Sequence, residues 1–303
     1  MTVRVEAPAR LHLGMLAVAG DGPRRFGGLG VSVARPAAIV EATAAGELTA
    51  EGPDADRALG FARRCSAAWG LAGAHVRVVE AIPQHVGLGS GTKLALAVAQ
   101  ALAAVAGREL DAPGLAQAVG RAARSAVGMW TFALGGLVVE GGVRRDVELP
   151  APLLGRYEMP AEWRCVLVVP DDDPGLSGVA EEEAFAQLAP AAEHSAAIAQ
   201  LVLTSLLPAL VERDVEEFGA ALTRIQEHVG DSFAAVQGGR FHPRAAGLVE
   251  ALLDAGAAGA GQSSWGPAVY GIAGSEPAAQ EIARQVGGEV VAFDNAGARM
   301  TTA

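Results

Sequence analysis

A glycine-rich segment, PQHVGLGSGTK, occupies residues 83–93 and separates two segments of different periodicity. Residues 75–80 (HVRVVE) alternate as a strand does, and residues 93–106 have the spacing of a buried helix that ends at Gly107. Glycines at 87, 89 and 91 let the backbone approach a ligand closely. The segment therefore predicts a strand–turn–helix unit whose free N–H groups and helix dipole face a phosphate or diphosphate.

Glycine-rich turns are also common as ordinary helix starts, so the segment alone leaves both interpretations open. It does not fit the P-loop, because Lys93 follows a threonine rather than a glycine. It does not fit the dinucleotide fingerprint either, because the third glycine comes one residue early. We accordingly expect no nicotinamide or flavin cofactor.

Strand-like and helix-like segments alternate along the rest of the chain, which predicts an α+β fold. With 303 residues, 51% of them hydrophobic, the chain can form two domains with sizeable cores. Pro150 and Pro152 mark the predicted boundary, giving domains of residues 1–153 and 154–303. In detail, the patterns predict a glycine-rich loop at 27–30, a helix over 115–124 and a long strand over 129–143.

Charge is distributed unevenly between the two halves. The net charge of −11 argues against nucleic acid as a partner. Residues 1–150 carry 15 cationic and 13 acidic side chains, whereas residues 151–303 carry 8 and 21. An anionic ligand is expected to meet the first half, although solvated acidic faces could also gather in one half by chance.

Nothing in the sequence predicts export or membrane insertion. Arg4, Glu6 and Arg10 interrupt the stretch that a signal peptide would need to keep apolar. The apolar run 194–211 contains glutamine, threonine, serine and proline, and we interpret it as a buried helix rather than a span. Cys65 and Cys165 have no metal-ligand or disulfide spacing. We expect a cytoplasmic protein that binds small molecules and no membrane.

Several further motifs accompany the glycine-rich segment in a fixed order, and together they resemble one known family. They are ARLHLG (9–14), RFGGLG (25–30), GGLVVEGG (135–142), GLSG (175–178), QGG (237–239) and GQSSWGP (261–267). With PQHVGLGSGT they resemble the β-ribofuranosylaminobenzene 5'-phosphate synthases and the related C-nucleoside synthases, a branch of the GHMP kinase superfamily. The resemblance extends over nearly the whole chain.

The resemblance implies an S5-domain-2-like N-terminal half and a ferredoxin-like C-terminal half. It also implies a reaction that joins phosphoribosyl diphosphate to 4-aminobenzoate through a carbon–carbon bond, with release of carbon dioxide and diphosphate and with Mg²⁺ assisting. Loss of carbon dioxide restores the aromatic ring, so no strong base is required, and positioning and electrostatics would provide catalysis. Superfamily relatives are often dimers, which leaves a homodimer open.

Candidate site residues follow from the motifs and the resemblance. As catalytic residues we predict Arg10, His12 and Lys93, the only lysine among 23 cationic side chains. As ligands of the diphosphate-bearing donor we predict Arg25, Gly27, Gly28, His85, Gly87, Leu88, Gly89, Ser90, Gly91 and Thr92. As acceptor-binding residues we predict Trp130, Ser263, Ser264 and Trp265. Asp171 and Glu181, each in a run of three acids, are weak candidates for the metal.

One segment departs from the family pattern. Where the family has Ser-Gly-Ile-Gly before a Phe-Glu pair, this chain has Ser-Ala-Val-Gly at 125–128 and then Trp-Thr-Phe-Ala at 130–133. The change leaves room for a heteroaromatic carboxylate as acceptor, as in C-nucleoside formation. An ATP-dependent small-molecule kinase is the second enzymatic alternative, and an anion sensor without chemistry is the third possibility.

Overall fold

The computed structural model describes residues 1–17, 22–170, 175, 178–188 and 192–303. Their strands are β1 (Thr2–Ala17), β2 (Arg24–Ala44), β3 (Leu48–Glu51), β4 (Ala74–Glu80), β5 (Leu137–Glu140), β6 (Val143–Arg144), β7 (Leu153–Tyr157), β8 (Arg164–Val168), β9 (Gly259–Gln262), β10 (Val269–Ala273), β11 (Glu289–Ala292) and β12 (Arg299–Thr302). Their helices are α1 (Ala55–Trp69), α2 (Ser90–Val105), α3 (Ala112–Ala118), α4 (Val127–Leu134), α5 (Gly178–Gln187), α6 (Ala192–Leu201), α7 (Leu207–Glu212), α8 (Val215–Gln237), α9 (Ala246–Asp254) and α10 (Glu276–Val286). A π-helical turn, Val202–Leu206, joins α6 to α7.

The first sheet is built around two long strands. β1 and β2 pair antiparallel, and the order along the sheet is β12-β1-β2-β4-β3, with β5 also paired to β2 and β7 paired to β5. Alternate residues of β1, from Val3 to Leu13, are fully buried, as expected for a strand with one face on the core. Helix α2, buried along most of its length, packs on β1 and β2 and so fixes its amino end beside the sheet.

The second sheet is antiparallel, with the strand order β11-β8-β10-β9. Helix α8 approaches β9 closely, because Gly219 on the helix and Gly259 on the strand have no side chains between them. The segment Ala192–Glu212 has the length and apolar composition of a membrane-crossing helix. Its residues Ile198, Leu201, Leu206 and Leu210 lie in the hydrophobic core, while Leu203 and Val211 are exposed.

The first sheet takes strands from both sides of the boundary that the sequence predicts at 153/154. β7 begins at that boundary and pairs with β5, and the last strand, β12, pairs with β1. The division between the sheets therefore does not follow the division of the chain into residues 1–153 and 154–303.

Three local predictions were wrong. Residues 27–30 lie within β2 rather than in a loop, since glycine there permits close packing: a Cβ on Gly30 would lie 2.5 Å from the Leu11 carbonyl oxygen and from Val127 Cγ1. The segment 129–143 begins as helix α4, because nearly all its residues are apolar and its periodicity could not separate a buried helix from a strand. Helix α3 starts at 112, capped by Asp111, and ends before Gly120, which has a φ of 65°.

Candidate functional site

The glycine-rich segment forms the turn that leads into α2. Gly89, at the N-cap, has a φ of 80°, and Gly87 has a φ of 89°. A Cβ on Gly87 would overlap the carbonyl oxygen of Ser263, so glycine is required there. Among the described residues, the N–H groups of Ser90 and Gly91 have no hydrogen-bond partner, and both belong to the first turn of α2. This arrangement provides the free donors that an anion needs at a helix start.

Arg10 brings a partly buried positive charge to this turn. Its backbone N–H donates to the Leu88 carbonyl (3.2 Å), and its Nη1 donates to the Gly87 carbonyl. Its Nε is buried and has no partner among the described residues. Burial lowers the pKa of Arg10 to about 10, and the charge of Glu181 partly opposes that shift. A guanidinium whose buried Nε–H has no acceptor indicates an anionic ligand.

Two more arginines flank the same turn on its Gly91 side. A Cβ on Gly91 would lie 3.0 Å from Arg57 Nη2 and 3.4 Å from Arg121 Nη2. The Arg121 side chain covers the Phe61 ring (5.1 Å to its centroid), and its Nε is buried without a partner in the described part of the chain. Burial lowers the pKa of Arg121, and the positive charges of Arg57, Arg64 and Arg124 lower it further. Asp54 pairs with Arg57 (2.9 Å) and Glu181 with Arg124 (2.9 Å). Arg121 therefore carries the uncompensated charge that a bound anion would stabilise.

His12, two residues after Arg10 on β1, is buried beside polar side chains. Its Nε2 lies 3.1 Å from Ser125 Oγ. Burial raises the pKa of nearby Glu140, and the Ser125 hydroxyl is among the groups that oppose this shift. Glu140, fully buried, also accepts from the N–H groups of Ala126 (3.2 Å) and Gly142 (2.8 Å). Burial, and secondarily the charge of Arg10, lowers the pKa of His12 to about 3, so the imidazole is neutral at physiological pH.

Lys93 is fully buried beneath the glycine-rich turn. Its Nζ donates to Thr131 Oγ1 (3.0 Å) and lies 6.0 Å from the Phe132 ring centroid. Burial and Arg10 lower the pKa of Lys93 well below its usual value, while Asp294 raises it. The structure thus places this amine in the interior, with its hydrogen bond directed to α4.

A cleft with aromatic walls adjoins His12. Trp265 and Phe233 stack edge to face at 4.6 Å, and Phe185 contacts both at 5.2 and 6.1 Å. Of the predicted acceptor-binding residues, Ser264 and Trp265 line this cleft. Its aromatic walls are of the kind that a flat aromatic molecule packs against.

The other predicted acceptor residues have different positions. Ser263 joins the two halves of the site, because its Oγ donates to the Gly87 carbonyl (2.7 Å) and accepts from the His12 N–H (2.9 Å). Trp130 does not line the cleft; its indole N–H donates to the Ala151 carbonyl (2.9 Å).

The remaining predicted donor ligands are divided between the turn and β2. Leu88 is buried in the core, Ser90 is largely buried, and Thr92 packs against Gly128. His85 is exposed, and its carbonyl accepts from Gly175 N–H (2.6 Å). By contrast, Gly27 and Gly28 lie in β2, where their neighbours are Gly14, Leu16, Val127 and the Glu140–Gly142 segment. The exposed Arg25 side chain lies over the Phe26 ring (5.2 Å to its centroid). The structure does not bring these three residues to the glycine-rich turn.

The implied magnesium has no matching set of ligands in the described residues, where no three His, Cys, Asp or Glu side chains cluster closely enough to hold a metal ion. Asp171 lies outside the described residues. Glu181 pairs with Arg124 (2.9 Å). Guanidinium groups lie beside Gly89 and Gly91, so the described side chains at the turn offer contacts to an anion and no metal site made of protein ligands alone.

Four site residues were missed by the sequence analysis: Arg57, Arg121, Ser125 and Glu140. The arginines come from α1 and from the segment after α3, and no local pattern connects them. Ser125 opens the segment that departs from the family pattern, and Glu140 is the one acid of the GGLVVEGG motif. An acid inside such an apolar motif was the available signal, because a buried carboxylate needs partners.

Family models match parts of both halves of this chain, and the relatives named here match 90% of it. Residues 56–136 match the GHMP kinases N terminal domain, and residues 206–292 match the GHMP kinases C terminal domain. Beta-ribofuranosylphenol 5'-phosphate synthase of Methanothermobacter thermautotrophicus is 31% identical, over 90% of this chain and 89% of its own length. The protein of that name from Archaeoglobus fulgidus is 33% identical, over 90% and 88%.

Solved structures share the fold at lower identity. Homoserine kinase from Cytophaga hutchinsonii superposes with a TM-score of 0.73, at 20% identity, over 99% of this chain and 97% of its own. A putative homoserine kinase from Listeria monocytogenes gives a TM-score of 0.67 at 17% identity, over 99% and 100%. The predicted α+β GHMP kinase fold and the predicted family resemblance are confirmed.

Proposed function

Because the chain belongs to the family of beta-ribofuranosylphenol 5'-phosphate synthases, we propose that it transfers the phosphoribosyl group of 5-phosphoribosyl 1-diphosphate to an aromatic carboxylate. The bond between the anomeric carbon and the diphosphate oxygen breaks, and its electron pair leaves with diphosphate. The ring carbon that bears the carboxylate bonds to the anomeric carbon. The carbon–carboxylate bond then breaks, carbon dioxide leaves, and its electron pair restores the aromatic ring.

The main support for this proposal is the partly buried Arg10 guanidinium beside the N-cap of α2. Its Nε has no partner among the described residues, and it lies next to unbonded N–H groups of the first helical turn. Charge that develops on departing diphosphate would be stabilised by donors already in place, which is the effective form of electrostatic catalysis. Arg57 and Arg121 offer a second cationic contact on the Gly91 side of the same turn. Phosphoribosyl diphosphate carries a phosphate at one end and a diphosphate at the other. The turn has Arg10 on one side and Arg57 with Arg121 on the other, so each anionic group has a cationic partner available.

The aromatic cleft supports the acceptor half of the proposal. His12 lines the cleft and lies on the same strand as Arg10, two residues away, so both side chains project from one face of β1. A ring held against Trp265 would therefore lie close to a sugar whose diphosphate is bound at the turn. Such positioning converts the attack on the anomeric carbon into an intramolecular step.

The acceptor we propose is a benzoate with a hydroxyl or amino group opposite its carboxylate. The relatives are named for a ribosylated phenol, which corresponds to a hydroxyl at that position. The sequence resemblance predicts the amine, 4-aminobenzoate. Both acceptors fit the same reaction, because each substituent donates electrons to the ring carbon that attacks.

One experiment tests the proposal and its alternatives. The protein is incubated with phosphoribosyl diphosphate and carboxyl-labelled 4-hydroxybenzoate, 4-aminobenzoate or a pyrazole carboxylate, with and without Mg²⁺. Release of labelled carbon dioxide and diphosphate in equal amounts, with either benzoate, supports the proposal. Turnover with the pyrazole alone would indicate C-nucleoside synthesis, and ADP formed from ATP and an alcohol would indicate a kinase. Either outcome, or no release from any acceptor, would overturn it.

A further inference from the structure

Two buried glutamines that line the aromatic cleft, Gln226 of α8 and Gln262 of β9, connect the first sheet to the turn that carries Trp265. We propose that both are positioning residues, which hold Trp265 in the place where the aromatic acceptor packs against it. They would then determine the affinity for the acceptor and leave the affinity for the donor unchanged. The proposal rests on the proposed function for the identity of the ligand in the cleft.

The side-chain amide of Gln226 joins two strands that belong to different sheets. Its Nε2 donates to the Leu13 carbonyl of β1, and its Oε1 accepts from the Gln262 N–H of β9 (2.8 Å). The pairing of β1 with β2 shifts register between His12 and Gly14, and Leu13 lies at that irregularity. Because such an irregularity disrupts the ladder of backbone hydrogen bonds locally, a side chain can supply the partner instead.

The contact between Gln226 and β9 requires glycine at position 261. A Cβ on Gly261 would lie 2.4 Å from Gln226 Cγ and 2.6 Å from its Cδ and Oε1. Gly261 does not have a positive φ, so the neighbouring amide and not the backbone conformation explains the glycine. Gly261→Ala would therefore displace the Gln226 amide and break the same connection from the other side.

Gln262 continues the connection to Trp265. Its Nε2 donates to the Ser264 carbonyl (2.9 Å), and its Oε1 accepts from the His242 N–H (2.7 Å). The Ser264 N–H donates in turn to the His12 carbonyl (3.2 Å). Ser264 is thus held through both its N–H and its carbonyl, and Trp265 is the next residue in the chain.

These hydrogen bonds can fix the cleft because a buried polar group that loses its partner is costly. The turn cannot move away from β1 without leaving an amide or a carbonyl unsatisfied. Helix α8 supports the same wall a second time, since Phe233 on this helix packs edge to face on Trp265 (4.6 Å). A wall that is already in place spares the acceptor the entropic cost of ordering it.

The donor turn has separate supports. Among the described residues, Arg10, Arg57 and Arg121 make no hydrogen bond to either glutamine. Loss of the glutamine contacts should therefore weaken binding of the acceptor and not binding of the donor.

Fluorine-19 NMR of fluorotryptophan-labelled protein tests the positioning without any assay of activity. Trp265→Phe identifies the Trp265 resonance among those of the four tryptophans. In unliganded Gln226→Met, which keeps a side chain of similar length but neither hydrogen bond, this resonance should shift or broaden, while that of Trp69 on α1 should not. Gln100→Met is the matched control, because Gln100 is a helical glutamine of α2 whose buried Oε1 has no partner in the described part of the chain. The control should leave the Trp265 resonance unchanged.

Gly261→Ala keeps the test decisive if Gln226→Met does not fold. Since its Cβ displaces the Gln226 amide, this variant should move the Trp265 resonance as well. In a Gln226→Ala background the obstructing side chain is absent, so Gly261→Ala should then cause no further change.

Steady-state kinetics measure the consequence for the acceptor. Gln226→Met and Gly261→Ala should each raise KM for the benzoate acceptor at least about tenfold, as expected for loss of one or two hydrogen bonds, with KM for phosphoribosyl diphosphate within about twofold of the wild type. Gln100→Met should change neither KM.

Two results would overturn the inference. An unmoved Trp265 resonance in Gln226→Met and Gly261→Ala would show that the glutamine does not position Trp265, whatever the acceptor KM. Equal increases of KM for donor and acceptor would show a general structural role instead. Failure of the wild type to transfer to any acceptor would remove the proposed function, and with it the identity of the ligand, while the fluorine spectra would still decide whether Gln226 positions Trp265.

Discussion

The guanidinium of Arg10 lies against Gly89, so closely that a Cβ on the glycine would be 3.1 Å from Arg10 Cγ and 3.3 Å from its Cζ and Nε. This contact requires glycine at position 89 for two reasons. Gly89 needs a positive φ to begin α2, and Arg10 needs the absence of a side chain to bring its charge to the helix start. The residues come from β1 and from the turn before α2, so the fold joins them.

Gly89→Ala is expected to weaken binding of phosphoribosyl diphosphate at least about tenfold, because its Cβ displaces Arg10 and strains the N-cap. Isothermal titration calorimetry measures the change. Gly107→Ala is the matched control: Gly107 also has a positive φ, of 65°, but no atom lies within 4 Å of where its Cβ would be. Equal affinity losses in both variants would show that backbone strain, and not displacement of Arg10, is responsible.

Arg10→Met is expected to separate binding from stability. The loss of charge-assisted hydrogen bonds of about 1.5–3 kcal/mol should reduce donor affinity about tenfold or more. The unliganded protein should lose little stability, since burial of the guanidinium is unfavourable without an anion. Calorimetry measures donor affinity, and thermal unfolding with and without donor measures stability.

Arg35→Met is the control, because it removes only an exposed ion pair with Glu80 and should change neither donor affinity nor stability. A large drop in Tm for unliganded Arg10→Met would contradict the prediction that the free protein loses little stability.

Sequence patterns predicted the parts of the site that are contiguous in the chain. The turn at 87–92, Arg10 and His12 on an early strand, and Trp265 all lie in motifs whose residues are adjacent or alternate. Their local geometry follows from strand and helix periodicity, so the sequence alone predicts the turn.

The features that the sequence patterns did not predict depend on contacts between segments distant in the chain. Arg57 and Arg121 meet beside Gly91 only because α1 and the segment after α3 both pack near α2. Gly30 resembled a loop residue, yet it lies in β2 because Val127 of α4 packs where its side chain would be. Trp130, in an almost wholly apolar segment, gave no periodicity from which its direction could be inferred.

Gly219→Ala is expected to destabilise the protein by about 3 kcal/mol, the upper part of the range for overpacking. Its Cβ would overlap the Ala258 backbone, which cannot move without disturbing β9. Urea unfolding measures the loss. Gly247→Ala, in the exposed part of α9 with open space around it, should instead change stability by less than about 1 kcal/mol, in the stabilising direction. If Gly219→Ala proved as harmless as this control, α8 and β9 would not be in close contact.

Acidification should destabilise the protein partly through His12. The native pKa of His12, about 3, is below the usual 6.5, so between those values the unfolded chain binds a proton that the native protein does not. The neutral His12 side chain therefore contributes fully to the free energy of unfolding above pH 6.5, and this contribution is lost as pH falls towards 3. Between pH 7 and pH 5 the loss is about 2 kcal/mol, at 1.36 kcal/mol per pH unit below 6.5.

The His12→Gln variant isolates this contribution, because the carboxylates titrate in both proteins. Urea unfolding at pH 7, 6 and 5 should show a smaller loss of stability in the variant by about 2 kcal/mol over the full interval. Glu140, whose pKa is raised by burial, contributes in the opposite direction, since its protonation favours the native state as pH falls. Identical pH dependence in the two proteins would mean that the native imidazole takes up a proton, and that His12 is not held neutral beside Arg10.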